Sequence, residues 1–343
     1  MKKSTVPITL TAATATLAAH SAALACGRHT YPKKFASPFV DMAVFGDSFS
    51  DVGNIHNVSN GTQPGASSYN GRYSDGKVWE EYLLQFFDLP ALTPSTEGGL
   101  NYAYGGATVN NSYIGAFSTY LNDNVPSVED QVTEYIDNQK GSLSSERLHV
   151  IYAGYNDIWW YVFRNYTTSD GQDLNFANVY NNIATDIVRQ VDALYQKGAR
   201  QFLIGNVPNM SSWAEASLQS QDVLDNYDVL VNGLNEALSR LLSNFESSHD
   251  TAIIYEQDNF RAFECLDQNQ DFYGINNVNE PCHPSQTESC EPIFSYKFWD
   301  YYHPTTHAHQ IASTFSIQAI HDKEMERKTK GKRYVKTALR KRH

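Results

Sequence analysis

The 343-residue sequence predicts a three-layer α/β/α sandwich with a mainly parallel sheet, and two observations support this fold class. Apolar runs bounded by turn residues indicate buried strands, and segments with apolar residues at helical spacing lie between them. Strand, helix and strand in this alternation imply right-handed crossovers, which place helices on both faces of the sheet. The expected strands are 39–45, 148–154, 201–207 and 252–257, and the expected helices are 77–87, 127–139, 176–198 and about 220–245.

The segment between the two termini is expected to form one domain, because neither a repeat nor a long linker interrupts it. A hydrophobic content of 41% is sufficient for a sizeable core. The first 25 residues indicate a signal peptide, since a basic "MKK", a modest apolar stretch and a final "ALA" suit cleavage; a disordered tail is the alternative. The sequence therefore predicts a secreted protein with a signal peptide at 1–25, a domain at 26–322 and a basic tail at 323–343.

Charge is distributed unevenly along the chain, whose formal net charge is −12. Residues 323–343 contain ten basic and two acidic residues, so the remaining 16 basic and 36 acidic residues carry −20. An acidic body disfavours nucleic acid as a partner. The tail is expected to be disordered, and the alternative is that it contacts anionic lipid at a membrane surface or a cell-wall polymer. No apolar run of 18 residues follows the N-terminus, so no membrane-spanning helix is expected; the sequence leaves the oligomeric state open.

The four cysteines suit an oxidising compartment. Cys282 and Cys290 flank a short polar loop and are the candidate disulfide, whereas Cys265 either pairs with Cys26 or stays free. In a eukaryotic host, the N-x-S/T pattern would also predict surface glycans. This pattern occurs at Asn57, Asn60, Asn110, Asn165 and Asn209.

The stretch "FGDSFSDVGN" follows the first predicted strand and contains the candidate nucleophile, Ser48. Taken alone, this composition indicates only a turn. Ser48 stands directly after the strand, where the carboxyl ends of parallel strands form sites. We expect it at the start of a helix, with its own N–H directed at an anion. Ser50 is the competing nucleophile, but it should already lie within the helical turn.

Near the C-terminus, "FWDYYHPTTHAHQ" contains the candidate base His303 and its orienting carboxylate Asp300. Three residues apart on a helical turn, the two side chains can meet, and the carboxylate would then support the imidazolium that forms when Ser48 loses its proton. A helix cap and a surface histidine are the alternative for this pair. His303, His307 and His309 together would suggest a metal site, since His303 and His307 lie four residues apart on a helix, but no third ligand is evident, so neither a metal nor a cofactor is expected.

Two further segments contain candidate donors for an oxyanion. Gly106, in "NYAYGGATVNN", lacks a Cβ and can bring its N–H close to a substrate oxygen. Asn156, in "GYNDIWW", follows a predicted strand end, where its amide can donate. With the Ser48 N–H, these groups would form an oxyanion hole, although each segment alone indicates only a tight turn or a helix cap.

Together these four segments, GDS, Asn-x-Ala-x-x-Gly, Gly-x-Asn-Asp and Asp-x-x-His-Pro, resemble in order the blocks of the GDSL, or SGNH, hydrolase family. The resemblance extends over residues 39–320 and departs at Phe49, where the family has leucine. It implies a flavodoxin-like fold and a serine ester hydrolase. It also implies that Ser48 is the nucleophile, His303 with Asp300 the base pair, and Gly106 with Asn156 the oxyanion donors.

The substrate class is less defined by the sequence. The chain resembles secreted phospholipases, thermolabile haemolysins and acyltransferases in "GRYSDGKVWEEYL" and "FWDYYHPTTHAH", and also fungal secreted esterases grouped with carbohydrate acetylesterases. Aromatic residues at the blocks, Trp159, Trp160 and Trp299 among them, could line an acyl cleft, stack on sugars or pack the core. Lipid or phospholipid acyl esters are therefore the expected substrates, an acetylated plant cell-wall oligosaccharide is the alternative, and a non-catalytic secreted binding protein is the alternative from another class.

Overall fold

The computed structural model describes residues 26, 31–112, 117–118, 123–164, 175–285 and 290–340, and gives the backbone alone for 117–118, 123–124 and 331–340. The predicted signal peptide 1–25 lies outside the described residues. The strands of the described residues are β1 (Asp41–Gly46), β2 (Phe117–Ser118), β3 (Asp123–Asn124), β4 (Arg147–Tyr152), β5 (Gln201–Gly205), β6 (Ile253–Gln257), β7 (Asn277–Pro281) and β8 (Tyr296–Phe298). The α-helices of these residues are α1 (Asn54–Val58), α2 (Trp79–Phe87), α3 (Val128–Asn138), α4 (Tyr155–Arg164), α5 (Phe176–Gln196), α6 (Gln221–Ser248), α7 (Asn259–Gln268), α8 (Gln270–Tyr273) and α9 (Thr306–Arg340).

The central sheet has the order β1-β4-β5-β6, and every neighbouring pair is parallel. An irregular segment at residues 100–102 extends the central sheet beyond β1. Val44 N–H donates to Leu100 O at 2.9 Å, and Tyr102 N–H donates to Val44 O at 2.7 Å. The segment at residues 100–102, the second extended segment along the chain, therefore lies on one side of β1. Strands β4, β5 and β6 follow in order on the other side of β1. This is the flavodoxin-like order 2-1-3-4-5 that the resemblance implied.

Helices cover both faces of this sheet. All five residues of β5 are buried, which requires a layer on each side. Helices α3, α5 and α6 pack in one group, and α2, α7 and α9 pack in another. The predicted three-layer α/β fold is therefore confirmed, and the predicted strands and helices agree with the observed ones to within a few residues.

The basic tail differs from its prediction. We expected residues 323–343 to be disordered, but α9 continues as a helix to Arg340. Charged pairs at helical spacing support its exposed part, among them Arg327 with Glu324 and Lys330 with Glu326. Lys, Arg and Glu are also good helix formers, which the charge pattern alone did not reveal.

Two disulfides are present, Cys282–Cys290 and Cys26–Cys265. The first is the pair that the sequence suggested, and the second decides between the two alternatives for Cys265. Of the candidate glycan sites, Asn110 is 7% exposed and its amide donates to Asp186, so a glycan does not fit there. None of the helices in the described part of the chain is both long and apolar enough to cross a membrane.

Candidate active site

Ser48 lies on a tight turn directly after β1. Ser50 N–H donates to Asp47 O at 3.0 Å, and Phe49 N–H donates to Asp47 Oδ1 at 3.0 Å. The predicted helix start at Ser48 is wrong, because α1 begins only at Asn54. The turn's own hydrogen bonds therefore orient Ser48, and the competing Ser50 is fully buried with its hydroxyl accepting from the Trp79 indole.

The carboxylate of Asp51 ties this turn to the candidate oxyanion segment. It accepts N–H groups from Gly53, Asn54 and Ile55 on its own side. It also accepts the Gly105 N–H at 2.9 Å, across a separation of 54 residues. Asp51 therefore joins two of the four sequence blocks through backbone hydrogen bonds.

Asp300, His303 and Ser48 form a continuous chain of hydrogen bonds. His303 Nε2 lies 2.9 Å from Ser48 Oγ, and His303 Nδ1 lies 2.8 Å from each carboxylate oxygen of Asp300. The expected helical turn is absent here. Asp300 Oδ1 instead accepts the N–H groups of Tyr302 and His303, which closes a side-chain-capped turn and brings the two groups together.

The segment "GRYSDG" contacts one side of the base loop, residues 299–306, which contains Asp300 and His303. Ser74 Oγ donates to Pro304 O at 2.9 Å, and Asp75 Oδ1 accepts the N–H of Thr306, the first residue of α9, at 2.7 Å. The ring of Tyr73 lies 4.8 Å from the imidazole of His303. Sequence reasoning used this segment only as a mark of resemblance, and its contacts with the base loop were missed.

A second segment holds the base loop from the other side. The indole of Trp213 donates to Tyr302 O at 2.8 Å, and Glu215 N–H donates to Tyr301 O at 3.0 Å. Trp213 also packs edge-on against Phe49, which follows the candidate nucleophile, with 5.9 Å between ring centroids. One buried indole therefore touches both sides of the site.

The candidate oxyanion donors lie beside this turn. Gly106 has φ +86°, a conformation that favours glycine. Asn156 lies in the first turn of α4 and donates through Nδ2 to Ala107 O at 2.9 Å, which leaves its second amide hydrogen available. Among the described residues, no group accepts a hydrogen bond from the backbone N–H of Ser48 or of Gly106. The next residue, Asp157, accepts the N–H of Val109 with both carboxylate oxygens.

Two carboxyl groups beside the site have perturbed proton affinities. Burial raises the pKa of Asp47 to about 7, against the opposing effects of the Phe49 N–H and the His303 charge. Burial likewise raises the pKa of Asp157 to about 7. Burial lowers the pKa of His309 to about 3, so this side chain is neutral at pH 7. Within the described residues, His, Cys, Asp and Glu form no group of three or more that could hold a metal ion.

A cavity of about 320 Å³ opens beside His303. Trp299, one of the predicted cleft residues, lines it. The other two, Trp159 and Trp160, are not part of its lining. With Phe163 they form an aromatic ridge on α4, in which the Trp159 ring centroid lies 4.8 Å from that of Phe163. The Trp159 ring also lies 6.1 Å from the ring of Tyr302, outside this helix. The cavity is lined by Gln63, Pro64, Gly65, Ser67, Ser68, Tyr73, His283, Pro284, Ser285, Trp299, Asp300, Tyr301, Tyr302 and His303.

Comparison with known proteins agrees with this geometry. Residues 42–314 match the model of the family described as GDSL-like Lipase/Acylhydrolase. The chain is 25% identical over 297 residues to the thermolabile hemolysin of Vibrio parahaemolyticus serotype O3:K6, covering 81% of this chain and 63% of that protein. It is 24% identical over 317 residues to a GDSL esterase/lipase (At1g74460) of Arabidopsis thaliana, with 80% and 86% covered. It is also 26% identical over 302 residues to an acetylesterase of Thermothelomyces thermophilus, with 82% and 87% covered.

The family match covers well over half of the 343 residues and includes all four blocks. The relatives are named as a GDSL esterase/lipase, an acetylesterase and a hemolysin. The chain therefore belongs to the GDSL-like lipase/acylhydrolase family and is a carboxylic ester hydrolase.

Proposed function

We propose that Ser48 is the nucleophile of an acyl-enzyme mechanism. The observation that carries this proposal is the unbroken chain from Ser48 Oγ through the imidazole of His303 to the carboxylate of Asp300, with 2.9 Å and 2.8 Å between partners. His303 Nε2 takes the hydroxyl proton while Ser48 Oγ bonds to the carbonyl carbon. Asp300 holds the proton on Nδ1, which leaves Nε2 free as the base, and stabilises the imidazolium.

The tetrahedral intermediate carries its negative charge on the former carbonyl oxygen. We assign its stabilisation to the N–H groups of Ser48 and Gly106 and to the amide of Asn156. One such donor contributes about 3–4 kcal/mol to the transition state. His303 then gives its proton to the departing alcohol, and water activated by the same imidazole releases the acid from Ser48.

The preferred acyl part is proposed to be that of a lipid ester. Asn156 lies in the first turn of α4, so an acyl chain that leaves the oxyanion site on this side meets the ridge of Trp159, Trp160 and Phe163, of which Phe163 is 39% exposed. Partly exposed rings next to a reacting centre suit an aliphatic chain. The thermolabile hemolysin relative supports this assignment.

An acetyl ester of a carbohydrate is the second candidate substrate. The cavity at His303 combines hydroxyl groups with the rings of Tyr73, Trp299 and Tyr302, a composition that suits a sugar. The acetylesterase relative supports this candidate. Secretion is proposed with either substrate, on the basis of the N-terminal signal pattern and the two disulfides.

Two measurements test these assignments. Ser48→Ala should lower kcat on p-nitrophenyl butyrate at least 1,000-fold, since it removes the attacking atom. Ser50→Ala, two residues away and fully buried, is the matched control and should retain most of the activity.

Wild-type rates on p-nitrophenyl esters from acetate to palmitate then distinguish the substrates: a rise toward long chains supports the lipid ester, and a maximum at acetate supports the carbohydrate ester.

A further inference from the structure

The cavity beside His303 lies on the side of the site where the alcohol departs. Its lining includes His303 and Asp300 but neither Gly106 nor Asn156. The imidazolium protonates the leaving oxygen, so that oxygen must depart toward His303, away from the oxyanion donors. The cavity is therefore placed to receive the alcohol part of an ester rather than its acyl chain.

A second pair of polar side chains, Ser67 and His283, lies in this cavity. Ser67 Oγ and His283 Nε2 share a hydrogen bond of 2.7 Å. The pair comes from distant parts of the chain, 216 residues apart, and belongs to none of the four blocks. Neither residue takes part in the hydrogen-bond chain from Ser48 to Asp300.

The position of His283 is fixed by its surroundings. The imidazole of His283 stacks on Trp299 with 4.6 Å between centroids and 11° between planes. The backbone N–H of His283 donates to Trp299 O at 2.7 Å. It follows Cys282, whose disulfide to Cys290 closes the loop. Trp299 directly precedes Asp300, so the same backbone positions both the catalytic carboxylate and the imidazole of His283.

The charges in the cavity restrict the alcohol it can bind. Among the described residues that line it there is no Lys and no Arg, and Asp300 contributes a carboxylate. A phosphate group requires charge-assisted donors such as Arg or Lys. A hydroxyl group both donates and accepts, which matches the serine hydroxyl and imidazole that line this wall.

We propose that Ser67 and His283 form a subsite that binds a hydroxyl group of the leaving alcohol, so that the enzyme prefers esters of neutral, hydroxylated alcohols over esters of phosphodiester headgroups. The proposal rests on the proposed function for one point, the identity of Ser48 and His303 as the reacting pair. It applies equally to a glycerol ester and to a sugar ester. Within the lipid substrates, it favours acylglycerols over phospholipids.

Three soluble butyrate esters test the subsite with a constant acyl group: 1-monobutyrin, p-nitrophenyl butyrate and dibutyryl-glycerophosphocholine. The wild type should show at least tenfold higher kcat/KM on 1-monobutyrin than on the phosphocholine ester. Ser67→Ala and His283→Phe, which keeps a flat ring on Trp299, should each raise KM for 1-monobutyrin about five- to tenfold. Their kinetics on p-nitrophenyl butyrate should stay within about twofold of the wild type.

Ser68→Ala is the matched control, because Ser68 lines the same cavity without a hydrogen bond to His283. Equal losses on all three esters in the Ser67 and His283 variants would show a merely structural role and overturn the subsite. A wild-type preference for the phosphocholine ester, or variants with an unchanged KM for 1-monobutyrin, would overturn it as well. The proposed function fails separately, through activity retained in Ser48→Ala.

Discussion

The two halves of the site, the nucleophile turn (residues 47–54) and the base loop (residues 299–306), are held in different ways. The nucleophile turn is buried, and backbone N–H groups that donate to Asp47 and Asp51 fix its path. The base loop is more exposed, with 13% of the His303 side chain and 31% of the Asp300 side chain accessible. Contacts from residues 73–76 and 213–215, far away in sequence, hold it in place.

This difference indicates how each half should respond to substitution. The nucleophile turn is continuous with β1 and with the core, so damage there should reduce the free energy of unfolding of the whole domain. The base loop lies nearer the surface, at the exposed edge of the site. Damage there should mainly displace the imidazole and lower kcat, because a misplaced base loses its alignment with Ser48.

The largest stability effect is expected for Asp51→Ala. This substitution leaves four backbone N–H groups without their acceptor, and each buried unsatisfied group costs about 1–3 kcal/mol. The free energy of unfolding should fall by about 4 kcal/mol or more, measured by urea denaturation. Asp137→Ala, at an exposed position of α3, is the control and should change it by less than about 0.5 kcal/mol. An Asp51→Ala variant as stable as the wild type would contradict the comparison.

A moderate effect on activity is expected for Asp75→Ala. It removes the acceptor of the first N–H of α9 and so loosens the turn that contains His303. We expect kcat on p-nitrophenyl butyrate to fall about tenfold, equivalent to about 1.4 kcal/mol, while KM stays within about twofold. Asp75→Asn retains the accepting oxygen and should behave like the wild type. An unchanged kcat in Asp75→Ala would mean that the base loop is held without this contact.

A further effect, on the pH dependence of stability rather than on activity, is expected for Asp157→Asn. The pKa of Asp157 is raised from 3.8 to about 7, so the folded state binds a proton more tightly than the unfolded state. The stabilisation from this group is complete below about pH 4 and is lost as the pH rises to about 7. Asp157→Asn removes this contribution, so the free energy of unfolding should decline less between pH 4 and pH 7 than in the wild type. Identical slopes in parallel urea titrations would show that Asp157 does not titrate in this range.

The same comparison explains how much could be predicted from the sequence. The strand before Ser48 has a local apolar pattern and Ser48 follows it directly, so the position of Ser48 at a strand end could be predicted. The closure of Asp300 onto His303 through a capped turn depends on local hydrogen bonds that the spacing alone could not distinguish from a helix. The roles of Tyr73, Ser74 and Trp213 depend on tertiary contacts across more than 80 residues, for which a single sequence contains no direct signal.

The central claim, that Ser48 attacks the ester, is tested most directly by covalent trapping. The wild-type protein would be treated with a fluorophosphonate, which reacts with an activated serine, digested with protease and analysed by peptide mass spectrometry. We predict a single adduct on Ser48 whose formation parallels the loss of esterase activity and slows at least 100-fold in His303→Ala. Complete inactivation with the adduct on another residue, such as Ser50 or Ser67, would contradict the account.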